Sequence, residues 1–292
     1  WVRWVRAAVI ALLVVGPIAG VVIAGVVLWG PGLGVFDVSL AGGLYVVTGL
    51  GVTVGFHRCF THGSFRAKRG LRLALAVAGS LSFQGDVIGW VAAHRRHHAF
   101  TDRPGDPHSP HRYGSGSWAQ VRGLVDSHLG WFLRDDPCEP ATYAPDLLAD
   151  PVLRTVSRIF PLLCLVSLAV PFGLGWAVGG TATAGCVTLL WAGLVRICLL
   201  QHVTWSVNSL CHLVGSRPRP TRRFDRSTNV WPLALLSFGE SWHNAHHSDP
   251  TRARHGVDAH QWDSSAVLIR VFERLGWASD VKWAPQSRHA LR

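Results

Sequence analysis

The sequence has no methionine and only three tyrosines among 292 residues, so nothing is built on its exact start. Acidic residues are also scarce, 17 against 28 Lys plus Arg, for a formal net charge of +11. That balance would suit nucleic acid, but there is no nucleic-acid motif and no basic helix with spaced aromatics, so no nucleic-acid partner is expected. The six cysteines, at 59, 138, 164, 186, 198 and 211, form no C-x-x-C pair. This removes a disulfide framework or a zinc ribbon and leaves packing as their expected role. H-E-x-x-H is missing as well, which excludes the metalloprotease pattern of a membrane zinc hydrolase. No haem, flavin or iron-sulfur segment is recognisable. No repeat, low-complexity tract or long Pro/Ser linker divides the chain, so residues 1–292 are expected to form one membrane-embedded domain.

What the chain does have is hydrophobicity, 49% of its residues, with a positive mean hydropathy. Residues 7–29 carry no charge, and at about 1.5 Å per residue they can span a hydrocarbon core of about 30 Å. Further apolar runs cover roughly 34–56, 159–178 and 183–200, with Asp37 near the outer end of the second. Four transmembrane helices are therefore predicted in an all-α membrane protein. The run at 71–90 is interrupted by Gln84 and Asp86 and is predicted to lie as an interfacial or re-entrant helix. Arginines precede the first run, at Arg3 and Arg6, and crowd 58–158 and 217–292, whereas the connectors near 30–36 and 173–182 have almost none. The positive-inside rule puts all three basic segments in the cytoplasm. "WVRWVR" plus the first run resembles the start of a signal peptide, but the run is too long and lacks a clear cleavage site, so a retained anchor is expected. The positive charge also favours anionic membrane lipids.

The histidines carry the chemistry. They cluster in "HRCFTH" (His57, His62), "HRRHH" (His94, His97, His98), "NSLCH" (Asn208, His212) and "HNAHH" (His243, His246, His247), each at or just beyond an apolar run on the predicted cytosolic side. On a helix, i, i+3 and i+4 share a face, so each H-x-x-H-H segment is expected to aim three imidazoles at one place. Asn208 and His212 pair as i, i+4. His57 and His62, five apart, do not share a face of an ideal helix, so that helix is expected to end or loosen between them. Two H-x-x-H-H segments nearly 150 residues apart at one membrane face point to metal. Nine imidazoles exceed what one tetrahedral ion uses, so two ions are the economical count. His108, His111, His128, His202, His255, His260 and His289 are read as ordinary structural or surface histidines. Arg95 and Arg96 are expected to face solvent or phosphate. Asp86, Asp106, Glu240 and Asp249 are the candidates for orienting the imidazoles.

The order of "GFHRCFTHGSF", "FQGDVIGWVAAHRRHHAFTDRPGDPHSP", "SHLGWFL", "TWSVNSLCH" and "GESWHNAHHSDP" resembles the membrane fatty acid desaturase family, most closely its acyl-CoA delta-9 (stearoyl-CoA) branch, over about residues 33–284. The resemblance implies four transmembrane helices under a cytosolic helical cap holding a di-iron site. The family's ligands correspond to His57, His62, His94, His97, His98, His212, His243, His246 and His247, and Asn208 to a residue acting through a bound water. It also implies an acyl tunnel, with Trp90, Thr204 and Trp205 as wall positions. Two departures stand out: Ala93 where the family is commonly acidic, and Gly85 where it is more often polar.

The implied activity is O2-dependent introduction of a cis double bond, at delta-9 of a long-chain saturated acyl-CoA, with an acyl-lipid as the alternative substrate. Iron is the implied metal, two ions per chain, with zinc a substitute that a purified protein could capture. Electrons must come from a separate ferredoxin or cytochrome with its NAD(P)H reductase, and the basic cytosolic surface suits an acidic carrier. Lysine only at positions 68 and 282, against abundant Arg and Ala, suggests a high-GC, actinobacterial-like source. The expected location is the cell membrane, metal site on the cytoplasmic side. A related membrane di-iron hydroxylase is the alternative.

Overall fold

The computed structural model describes residues 2–27, 33–134 and 136–283. Its first half contains α1 (Val2–Val27), α2 (Val35–Leu50), α3 (Arg69–Ser80), α4 (Val87–Phe100) and α5 (Ser117–His128). Next come α6 (Pro140–Tyr143), α7 (Pro145–Ala149), α8 (Pro151–Arg158) and α9 (Phe160–Gly179), each with proline in its first turn. Proline is tolerated there because the first amides of a helix have no intrahelical acceptor. The chain then forms α10 (Ala182–Thr188), α11 (Arg196–Ser209), α12 (His243–Ser248) and α13 (Ser264–Arg274). A minimal antiparallel pair, β1 (Arg66–Ala67) with β2 (Ala278–Ser279), ties the C-terminal region beside the start of α3.

Among the described residues, three helices are long and apolar enough to cross a membrane: Val35–Thr61, Phe160–Gly179 and Ala182–His212. They coincide with three of the four predicted crossings. The fourth, at 7–29, is helical within α1, but its described apolar stretch, Ile10–Val26, is shorter, and residues 28–32 lie outside the described ones. Exposed Val38, Val46, Val47, Leu162, Leu165, Val170, Trp176 and Leu199 line the outer faces of the long helices, a surface suited to lipid rather than water. The run at 71–90 contains only α3, whose 12 residues reach about 18 Å, then a turn and the beginning of α4. It is too short to cross, in line with the interfacial expectation.

Two departures from regular helix geometry place the site. α2 passes without a break into π-helical turns over Gly51–Thr61, and α10 does the same over Leu189–Val195 before α11. α3 lies directly on the first of these: a Cβ on Gly51 would sit 2.3 Å from the Gly79 nitrogen, and one on Gly79 would sit 2.4 Å from the Phe56 ring. Only glycine permits this backbone contact, and it seats Phe56, Phe60, Leu75, Val87, Ile88 and Val91 in one core between α3, α4 and the π segment.

Buried charge completes the frame. Arg58, fully buried, donates to Glu240 through Nε and Nη2 (3.0 and 2.9 Å), to the Ala253 carbonyl (2.7 Å) and pairs with Asp263 (2.9 Å). Arg196 of α11 is held by the carbonyls of Leu81 and Ala192 and by the Ser167 hydroxyl. Arg95 and Arg96, expected to face solvent or phosphate, instead tie α4 to the segments around Asp146 and Asp136. Arg95 is bidentate on Asp146 and donates to the Phe60 and Thr61 carbonyls, while Arg96 is bidentate on Asp136. With their guanidiniums held by carboxylates and backbone carbonyls, these arginines have no freedom to reach a ligand.

Candidate metal centre

The π turns solve the spacing of the first histidine pair. In an i→i+5 helix, residues five apart are roughly one turn apart, and the His62 amide donates to the His57 carbonyl at 3.2 Å. The two rings consequently lie 4.8 Å apart. The helix loosens between them, as expected, and ends only after Thr61.

The nine histidines named from the sequence fall into two groups, one of His57, His62, His94, His98 and His246, the other of His97, His212, His243 and His247. Neither H-x-x-H-H segment aims three rings at one place, which corrects the expectation. At about 100° per residue, i+3 falls about 60° to one side of residue i and i+4 about 40° to the other. On α4, His94 and His98 therefore join the first group and His97 the second. On α12, His243 and His247 join the second and His246 the first. Each segment straddles both groups, and this arrangement sorts histidines that sequence could not assign.

The nitrogens converge as ligands do. His57, His246, His98 and His94 form a chain of Nε2–Nε2 separations of 3.2, 3.1 and 3.1 Å, and His243 and His212 approach at 3.0 Å. Two nitrogens bound at about 2.1 Å to one ion, roughly 90–110° apart, lie about 3.0–3.4 Å from each other. Buried His62 Nε2, His97 Nε2 and His247 Nε2 have no hydrogen-bond partner. Orphaned lone pairs converging at these spacings fit a pair of cations.

Carboxylates fix the tautomers. Nδ1 of His57 faces Glu240, that of His97 faces Asp106 (3.0 Å), that of His212 faces Asp102 (2.8 Å) and that of His247 faces Asp225 (2.8 Å). A Nδ1–H donated to carboxylate leaves Nε2 as a lone pair. Of the four acids proposed from sequence, Asp106 and Glu240 do this. Asp86 instead caps α4 through the Ile88 and Gly89 amides, and Asp249 pairs with Arg252. Asp102 and Asp225 were missed. Asp102 lies four residues after His98, a proximity that could have flagged it, whereas nothing in "RRFDR" marks Asp225.

Burial, then neighbouring imidazoles, holds His62, His94, His98, His243, His246 and His247 well below the usual imidazole range, so these rings are neutral and ready to bind metal. Burial raises the Asp106 carboxyl, but His97 and the hydrogen bonds outweigh it and bring it down to about 2. At Glu240 burial is likewise overcome, by His57, Arg58 and His255. Two histidines read as ordinary belong beside the site: His255, fully buried 3.4 Å from Glu240, and His108, stacked on His97 at 4.5 Å. His111 donates through Nε2 to the His212 carbonyl, His128 and His202 bond each other, and His260 is exposed. His289 lies outside the described residues.

Two cavities meet at the histidines. One runs from Val52, Leu200 and Val203 past Thr53 and Val207 to His57 and His243. The other opens among Gly85, Asp86, Ala93, Trp131, Asp136 and Trp205. Trp90, His94, Thr204 and Asn208 line both. The three residues expected in a tunnel wall, Trp90, Thr204 and Trp205, all face these cavities, and Asn208 sits at the wall shared with His94.

The family profile described as Fatty acid desaturase matches residues 37–269. The chain is 35% identical over 268 residues to the Hex-5-enoyl-[acyl-carrier protein] acetylenase of Moorena producens, covering 91% of this chain and 83% of that protein. It is 38% identical over 251 residues to Delta-9 acyl-lipid desaturase 1 of Arabidopsis thaliana, covering 84% and 75%. It is 36% identical over 250 residues to the sn-1 stearoyl-lipid 9-desaturase of Anabaena variabilis, covering 84% of each. Two converging groups of histidines, long apolar helices and this likeness along most of its length lead to one conclusion: the chain belongs to the fatty acid desaturase family.

Proposed function

We propose that this protein is an O2-dependent membrane di-iron desaturase that places a cis double bond at delta-9 of a long-chain saturated acyl group. The observation that carries the reading is the wall of Trp90, His94, Thr204 and Asn208, shared by two cavities, the first of which reaches His57 of one histidine group and His243 of the other. His57, His62, His94, His98 and His246 would hold one iron. His97, His212, His243 and His247 would hold the other, with Asn208 placed to hold a water. Iron, when bound, supplies the O2 activation needed to remove hydrogen from unactivated methylenes. In balance, –CH2–CH2– plus O2, two electrons and two protons yields –CH=CH– and two waters.

The residues of the chain do the positioning. Methylenes are chemically alike, so the product is set by where the wall holds them. From Asn208 down to Leu200, both lining the apolar cavity, α11 descends eight residues, about 12 Å. The distal part of the acyl chain is proposed to lie along this face of α11.

The polar carrier is proposed to be a membrane lipid. This reading is supported by the likeness to proteins named as acyl-lipid and stearoyl-lipid desaturases. Acyl-CoA, implied by the sequence resemblance, is the second reading. The topology proposed is four crossings in the cell membrane, α1 included, with the Arg-rich segments and the metal site on the cytoplasmic side. Electrons would come from a ferredoxin or cytochrome and its reductase.

The test is expression of the chain and of His97→Ala in cells lacking delta-9 desaturase activity, with double bonds located in lipid and acyl-CoA fractions by mass spectrometry. A cis-9 monoene from the parent alone, appearing first in lipids, supports the proposal. First appearance in acyl-CoA moves the carrier to CoA, and hydroxylated chains would replace desaturase by hydroxylase.

A further inference from the structure

We propose that the arginine-rich loop at 217–226 is the docking surface for an acidic one-electron carrier protein and the place where its electrons enter. This deepens the functional proposal and rests on it. The loop carries Arg217, Arg219, Arg222, Arg223 and Arg226, and all but the partly buried Arg219 are exposed. Phe224 stands among them, 53% exposed, with the Arg223 guanidinium over its ring at 5.5 Å. The one acid within the loop, Asp225, is turned inward and buried, and among the described residues the carboxylate that pairs with a guanidinium of the loop is Asp258, 4.0 Å from Arg219. Arginine around a single exposed aromatic is the composition of an interface centre, and its charge complements an acidic partner.

Charge alone would not choose this face over the arginines of α13. The connection to the histidines does. Asp225 bonds His247 Nδ1 at 2.8 Å, Arg222 donates to the His98 carbonyl at 3.1 Å, and the Arg226 amide donates to Asp102, which bonds His212. One loop is thus hydrogen-bonded to both histidine groups while its outer side is open to solvent. By contrast Arg270 pairs with Glu273 and lies over Trp283, with no such link. An electron crossing from a carrier seated on the loop has a path of covalent and hydrogen bonds one residue thick. Two reduced carriers each give one electron per turnover. Together with O2, two protons and the hydrogens of –CH2–CH2–, these leave two oxidised carriers, –CH=CH– and two waters.

The test uses the full chain in nanodiscs and a plant-type ferredoxin as probe. Binding of the oxidised ferredoxin is measured directly, so the result does not depend on turnover. Arg223→Glu with Phe224→Ala is expected to weaken binding at least about tenfold, and to flatten its salt dependence, with iron content unchanged. Arg270→Glu with Arg274→Glu should stay within about threefold of the parent. Equal weakening by both pairs, or none by the first, overturns the proposal. So does a first pair that loses only its adhesion to anionic vesicles of phosphatidylglycerol, which would make the loop a membrane contact. Ferredoxin binding that depends on the loop, in a protein that makes no product even with dithionite, leaves the surface standing and removes the desaturase reading instead.

Discussion

Asp225→Asn should weaken one metal site and spare the other. The Asp225 carboxylate is buried and bonds His247 Nδ1 at 2.8 Å, while its other oxygen accepts from the Ser227 amide at 2.8 Å. Asparagine keeps the shape but can turn an N–H toward the imidazole, which favours the tautomer whose Nε2 carries the proton. His247 Nε2, now without any partner, would then no longer offer a lone pair to the second group. Loss of such a supporting contact costs about 10–100-fold in metal affinity, or about 1.4–2.7 kcal/mol. His247 belongs only to the group with His97, His212 and His243, so the loss should fall on one ion. The assay is iron content against rising chelator: the parent releases two equivalents, and the variant should release one of them at about 10–100-fold lower chelator, with the other unmoved. Parallel loss of both, or an unchanged profile, would refute the partition into two groups.

Other consequences are as direct. Arg58→Ala strands Glu240 and Asp263 in the core and should destabilise the protein by about 3–5 kcal/mol, read as a lower unfolding midpoint; Arg58→Lys, unable to bridge both acids, should recover only part of this. In the metal-free protein, histidines with folded values below their unfolded ones bind protons mainly when unfolded. Stability should therefore hold above about pH 6.5 and fall as pH drops below it. A thermal midpoint flat or rising from about pH 7 to 5.5 would contradict the burial of these rings. Leu200→Trp, filling the deep end of the apolar cavity, should shift product toward shorter chains in a mass-spectrometric profile while leaving iron content intact.

The histidine clusters were legible because apolar chains rarely tolerate such groups without a purpose, and their order along the chain was enough to identify the family. The partition between two centres was not legible. It depends on the π turns after α2, which redirect His62 by changing the residues per turn, and on how α4 and α12 face each other. Three helices long and apolar enough to cross a membrane were readable from composition alone, as was the shortness of α3. Arg95 and Arg96 were misread because nothing in sequence shows that Asp136 and Asp146, some 40 and 51 residues away, fold back to meet them. Asp225 shares that cause: its role is set by a long-range contact with His247, not by spacing.

The central claim, two neighbouring sites built from histidine alone but with unequal ligand sets, is tested most directly by Mössbauer spectroscopy of the protein loaded with iron-57. The account predicts two ferrous signals of equal area with different splittings, one for the five-histidine group and one for the four-histidine group. A single signal from one iron, or two identical ones, would contradict it.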